Sequence, residues 1–232
     1  MTALQPEDLD AVWLSLKVAA AAMAFGLPAA FAVAYLLARG RFWGRAALDA
    51  VTHLPLVLPP VATGYALLIL FGHRGVLGQL FEAIGVAFAF RWTGAALAAG
   101  IMAFPLMVRP IRLAIEAIDP SVDEAARTLG SGAVSRLARV TVPLAAPGLA
   151  AGAVLGFAKA LGEFGATITF VAAIPGETLT LPTAIYQSTQ TPGGEGRALA
   201  LCAVAAVIAV TAVLASDVVS RGLIRRRRGD AA

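Results

Sequence analysis

Residues 119–143, DPSVDEAARTLGSGAVSRLARVTVP, form a polar, arginine-bearing stretch between two long apolar runs. Asp119-Pro120 reads as a helix start. Asp accepts hydrogen bonds from free backbone N–H groups, and Pro fits the first helical position, where no N–H is needed. Asp123 and Glu124 then fall in the first turns, where the helix dipole favours acids. Val122, Ala125, Ala126 and Leu129 share a face at helical spacing. Gly130 is a stop, because it accepts a left-handed conformation, and Ser131 is the expected cap of a second short helix carrying Arg136 and Arg139. The segment is therefore a helix–turn–helix knuckle, with Ala125 and Ala126 small enough to let a partner approach the backbone.

The flanking runs set the class of protein. Of 232 residues, 59% are hydrophobic and 14% charged, and the mean hydropathy is +0.81. Soluble domains are about half apolar and about a quarter charged, so the expected solvent is a bilayer. A helix needs roughly 20 apolar residues to cross one. Five segments qualify, at about 12–38, 51–72, 92–108, 144–172 and 198–219, giving an all-α membrane protein with one domain over 1–232. The shorter run 76–90 contains Glu82 and Gly85 and reads as an interfacial or re-entrant helix. The N-terminus lacks the basic opening of a cleavable signal peptide and carries Glu7, Asp8 and Asp10 instead.

Basic residues orient the spans. Arg39, Arg41 and Arg45 follow the first. Arg109, Arg112, Arg127, Arg136 and Arg139 lie between the third and fourth, and Arg221 with Arg225–Arg228 follows the fifth. With five spans these thirteen of the 18 basic residues fall on one side, the cytoplasm. The N-terminus is then outside and the C-terminus cytoplasmic. This scattering argues against a nucleic-acid partner, and the Arg225–Arg228 run is read as an anchor on anionic lipid headgroups.

Polar residues inside the spans are costly and usually face the bundle interior. In FAKALGEFGATITF (157–170), Lys159 and Glu163 are four apart, so they can share a helix face and neutralise each other, while Gly156 just before the run, Gly162 and Gly165 offer close helix contact or local distortion. The pair can lie near a translocation route, lie at a subunit interface, or simply fix helix packing. In LPLVLPPVATGYALL (54–68), Pro55, Pro59, Pro60 and Gly64 suggest a kinked or broken helix, either lining a pore or merely bent. The two lysines, Lys17 and Lys159, lack the G-x4-G-K-[ST] setting of a phosphate-binding loop, so ATP must be bound elsewhere. His53 and His73 are isolated, Cys202 is alone, and no nucleophile–base pair stands out. The chain reads as non-catalytic and as binding no cofactor or metal.

The knuckle resembles the cytoplasmic loop of the membrane subunits of ABC importers, written E-A-A-x3-G-x9-I-x-L-P. Glu124, Ala125, Ala126, Gly130 and Pro143 match it, and Val140 and Val142 stand for the Ile and Leu. The segment ALGEFGATITFVAAIPGETLTLPTAIYQSTQTPGGEG (160–196) and the run HLPLVLPPVATGYALL (53–68) resemble molybdate permeases of that superfamily, with sulfate and thiosulfate permeases as close relatives. Ala172-Ala173 departs from that pattern, which has a more polar, Asn-containing pair there. The resemblance implies a type I importer permease in which two copies form the pore. Two cytoplasmic ATPases, which carry ATP and Mg, bind the two loops through Glu124 and its neighbours. An external oxyanion-binding protein delivers molybdate or tungstate to the outer mouth. On that reading Arg74 and Arg91 can steer an anion, or they are ordinary boundary arginines. Glu124 can serve coupling, or only the loop's own dipole and salt bridges. An ion-gradient-driven transporter is the competing class, for which paired broken helices in internal repeats would speak.

Overall fold

The structure, a computed structural model, describes the backbone of residues 5–229 and the side chains as far as Ala212, together with Leu214. The side chains of Arg221 and Arg225–Arg228, the expected lipid anchor, lie outside the described residues. All described regular structure is helical. Helix α1, Pro6–Arg39, begins with a capping box in which Asp8 accepts from the Gln5 N–H at 2.8 Å. It is followed by α2 (Arg45–Val57), α3 (Pro60–Phe71), α4 (Val76–Glu82) and α5 (Trp92–Glu116). The knuckle comprises α6 (Pro120–Thr128) and α7 (Ala133–Arg136), and it continues through a π-helical turn, Leu137–Thr141, into α8 (Val142–Leu144). Then come α9 (Ala146–Leu161), α10 (Gly165–Val171), α11 (Leu181–Gln190) and α12 (Glu195–Gly229).

Three helices, α1, α5 and the Glu195–Ala212 part of α12, are individually long and apolar enough to cross a membrane. The other expected spans depart from single rods. The second is two helices, α2 and α3, meeting at a 116° bend. Pro59 and Pro60 supply no N–H there, so the ladder cannot run through. The fourth is interrupted at Gly162, leaving α9 and the short α10. The third runs on past 108 to Glu116, because charge at Arg109 and Arg112 ends an apolar window without ending backbone hydrogen bonding. At 76–90 only α4 forms, too short to span.

The core is α5 held between α1 and α9. Alanines let α1 and α5 approach: Ala19, Ala22, Ala30 and Ala34 face Ala95, Ala99 and Ala103 in one buried cluster with Met107 and Ile111. On α9, Gly148, Gly152 and Gly156 repeat every four residues, the small-residue spacing that seats membrane helices without a hydrophobic driving force. A Cβ at Gly148 would stand 2.4 Å from Ala114 Cβ and 2.5 Å from Pro110 O, so only glycine fits. Around this core, α12 packs on α9 and α11, and Leu201 is fully buried. Buried Asp8 receives both Nε and Nη2 of Arg197, at 2.9 and 2.6 Å, and Ser15 Oγ accepts from the Leu181 N–H at 2.6 Å. The heads of α1, α11 and α12 are thereby joined at one end of the bundle.

Candidate functional site: an exposed knuckle and two broken spans

The knuckle hangs from the opposite end. Asp119 Oδ1 accepts from the Ser121 N–H at 2.8 Å, and this bond holds its carboxyl below the usual carboxylate range. Gly130 takes φ +81°, the left-handed conformation that lets the chain reverse. Ser131 does not cap the second helix. Gly132 holds that position without a side-chain bond, and Ser131 instead offers its carbonyl to Arg136 Nη1 at 2.8 Å. Arg136 Nε also donates to Asp123 Oδ1 at 3.0 Å, so one guanidinium locks α6 to the start of α7.

No residue of α6 or α7 is buried. Leu129 is 87% and Val134 81% exposed, and Glu124, Ala125, Gly130 and Pro143 are exposed beside them. Ala126 is half-buried. Among the described residues Glu124 makes no ion pair. Apolar side chains of this size on a polar helix pair form a face that its own chain leaves uncovered.

The other candidate residues meet at the two breaks. Lys159, in the last turn of α9, donates to Glu163 Oε2 at 2.5 Å, and Glu163 Oε1 accepts from the Ala166 N–H at 3.0 Å. Glu163 thus lies beyond the end of α9, where its carboxylate joins that helix to α10 rather than lying on a common helix face. Its side chain is 1% exposed, against 30% for Lys159. The break of span two lies against this one. A Cβ on Gly165 would come within 2.7 Å of Pro60 Cβ, and one on Gly64 within 2.5 Å of Ala166 O. Discontinuous helices at membrane depth are tolerated where they are buried in protein or line a cavity, so the contact of α3 with α10 concentrates irregular backbone at one place. The Phe164 ring lies tilted against Tyr186 of α11, with centroids 5.0 Å apart.

The loop 172–180 closes over the head of the bundle. Thr178 Oγ1 accepts from the Ile174 N–H at 2.9 Å and donates to Val171 O at 3.2 Å. Ala172 takes φ +60°, ψ −163°, a region that glycine ordinarily occupies. Arg91 is drawn towards Glu177 at 3.8 Å and Lys17 lies over the Trp92 ring at 3.7 Å, while Arg74 is exposed. Among the described residues no cluster of His, Cys, Asp and Glu can hold a metal ion.

Residues 23–229 match the family described as "Binding-protein-dependent transport system inner membrane component". The chain belongs to this family. As a permease of that family it is a membrane component, and ATP hydrolysis belongs to a separate subunit. It is 51% identical over 227 residues to the molybdenum transport system permease protein ModB of Escherichia coli strain K12, covering 97% of this permease and 99% of that one. It is 47% identical over 220 residues to the ModB of Haemophilus influenzae, covering 94% and 96%. In fold it resembles a bacterial ABC transporter involved in import of the acidic polysaccharide alginate. The TM-score is 0.76 at 20% identity, over 94% of this permease and 80% of that chain.

Proposed function

We propose that this permease is half of the pore of an ATP-driven importer that carries molybdate, and tungstate by the same oxyanion chemistry, across the bacterial cytoplasmic membrane. The observation that carries the reading is the uncovered knuckle. It is small-faced, rigidly capped, and anchored to the end of the most deeply buried span, as a lever seated in another protein must be. Close relatives over nearly the whole length are named for molybdenum transport, which favours molybdate over the sulfate alternative.

Two copies pair to form the pore, and two cytoplasmic ATPases carrying ATP and Mg seat the two knuckles through Glu124, Ala125, Ala126, Gly130 and Pro143. An external binding protein delivers the oxyanion. ATP-driven closure of the ATPases pushes on α6, and the motion reaches the broken spans as alternating access. The N-terminus is outside and the C-terminus cytoplasmic. In support, Arg39, Arg45 and Arg112 cluster at the knuckle's end of the bundle and Asp8 with Arg197 at the other. Lys159, Glu163 and Gly165 border the translocation route or the two-copy interface, because a half-exposed ammonium at this depth is poorly suited to lipid. Exposed Phe25, Leu36, Val207 and Val210 meet the acyl chains.

The test is uptake. The permease is reconstituted in vesicles with its ATPase and binding protein, and ATP-dependent entry of labelled molybdate is followed. Entry that resists excess sulfate is expected. Entry abolished by sulfate would move the substrate to sulfate, and no ATP-dependent entry of either anion would refute the reading.

A further inference from the structure

At the inner end of the bundle four charged side chains tie α2 to α5. Arg112, on α5, donates through Nη1 to Asp49 Oδ1 at 2.9 Å and through Nε to Glu116 Oε1 at 2.8 Å. Arg45 reaches Glu116 Oε1 at 3.9 Å. Four residues forward on α2 correspond to four residues back on α5, so the helices lie antiparallel and the charges alternate across the seam. The Arg112 side chain is only 23% exposed, so its two acids are its main solvent. His53 Nδ1 lies 3.3 Å from Asp49 Oδ1 on the same helix. From α1, Arg39 Nη2 holds the end of α5, donating to Ile115 O within it at 3.3 Å and to Ile118 O just beyond it at 2.9 Å.

The position of this seam matters. Glu116 ends α5, and residues 117–119 alone separate it from α6. Any rotation of the knuckle is therefore delivered to the clamped end of α5. Helix α2 packs on α5, and only lightly on α1. At its far end α2 turns through the 116° bend into α3, whose principal neighbour is α10. The charged seam is thus the mechanical joint between the docking knuckle and the broken spans. Two cross-helix ion pairs add a polar register to the side-chain packing of α2 on α5.

We propose that Arg112, Asp49, Glu116 and Arg45 are positioning residues for coupling: they transmit displacement of the knuckle to the α3–α10 contact. This rests on the importer reading above. The experiment uses the full transporter in vesicles and measures molybdate moved per ATP hydrolysed. Asp49→Asn is expected to lower that ratio about tenfold, a typical coupling loss, with basal hydrolysis and its KM for ATP unchanged. Asp49→Glu should restore the ratio. The fourfold swap Arg45→Glu, Asp49→Arg, Arg112→Asp and Glu116→Arg exchanges the signs of both cross-helix pairs and of the pair within α5, and should also transport. A role in stability alone would lower yield and melting temperature while leaving the ratio intact, and that result in Asp49→Asn overturns the proposal. If Asp49→Asn does not assemble, the swap decides: restored assembly with a normal ratio supports the joint, and failure to assemble marks the seam as structural only. Absence of ATP-driven uptake in the wild-type complex would instead sink the importer reading itself.

Discussion

The Lys159–Glu163 pair permits a prediction in which the two halves behave unequally. Lys159→Met leaves the Glu163 carboxylate, 1% exposed, with the Ala166 N–H as its remaining partner. Breaking a buried pair from one side costs about 3–5 kcal/mol, and the opening to water around Lys159 places this case near 3. Glu163→Gln removes the charge but keeps an amide oxygen for the Ala166 N–H. The ammonium left behind, 30% exposed, can reach water, so the cost is that of a weakened hydrogen bond, about 1–2 kcal/mol. The double variant Lys159→Met/Glu163→Gln carries no buried charge and should lose no more than the Glu163→Gln single. The coupling energy is then at least about 3 kcal/mol. At about 2–4 °C per kcal/mol for a chain of this size, Lys159→Met should melt roughly 6–12 °C below wild type. The assay is thermal stability of the purified permease in detergent, read as the fraction remaining monodisperse after heating. Additive single effects, or a greater loss in Glu163→Gln than in Lys159→Met, would refute the assignment of the carboxylate as the buried, dependent partner.

Other perturbations follow from particular contacts. Gly148→Ala drives a Cβ against the fixed atoms Ala114 Cβ and Pro110 O and should cost about 1–3 kcal/mol, whereas Gly26→Ala meets only the swinging Met107 Cε at 2.9 Å and should be near neutral; equal melting temperatures would contradict the glycine seam. Glu124→Lys reverses a charge on the exposed face of α6 and should abolish stimulation of the ATPase while the permease inserts at normal yield; normal coupled transport would remove Glu124 from coupling. Because the folded-state pKa of Asp119 is lowered, its cap contributes stability above the unfolded value, 3.8, and loses it only as pH falls through the still lower folded value. Hydrogen-exchange protection of the first turn of α6 should therefore be constant from pH 7 to about pH 4 and vanish in Asp119→Ala.

Much of this architecture was legible in residue order because its causes are local. The start of α6 at Asp119-Pro120, the turn at Gly130 and the break at Pro59-Pro60 each follow from one residue's own backbone chemistry. The break after Leu161 was only half visible, in Gly162 and Gly165. Apolar side chains continue on both sides, and hydropathy does not register that Glu163 is taken out of the helix to cap α10. The end of α5 was hidden for the converse reason, since Arg109 and Arg112 look like loop residues until Asp49, 63 positions earlier, appears beside Arg112. Ser131 misled because α7 starts one residue later, with Gly132 at the N-cap, leaving Ser131 to bond Arg136 through its backbone carbonyl alone. Asp8 looked like a solvated outer charge, and only the folded bundle brings it Arg197.

That last contact bears on how the protein is made. Asp8 and Arg197 are 189 positions apart, so nearly the entire chain must be synthesised before the first helix acquires the cation it needs. Until then the α1 carboxylate depends on water at the bilayer edge. The tie between the heads of α12 and α1 can form only once α12 has been made. A polypeptide stopped before Arg197 would keep an unmatched acid at the head of α1.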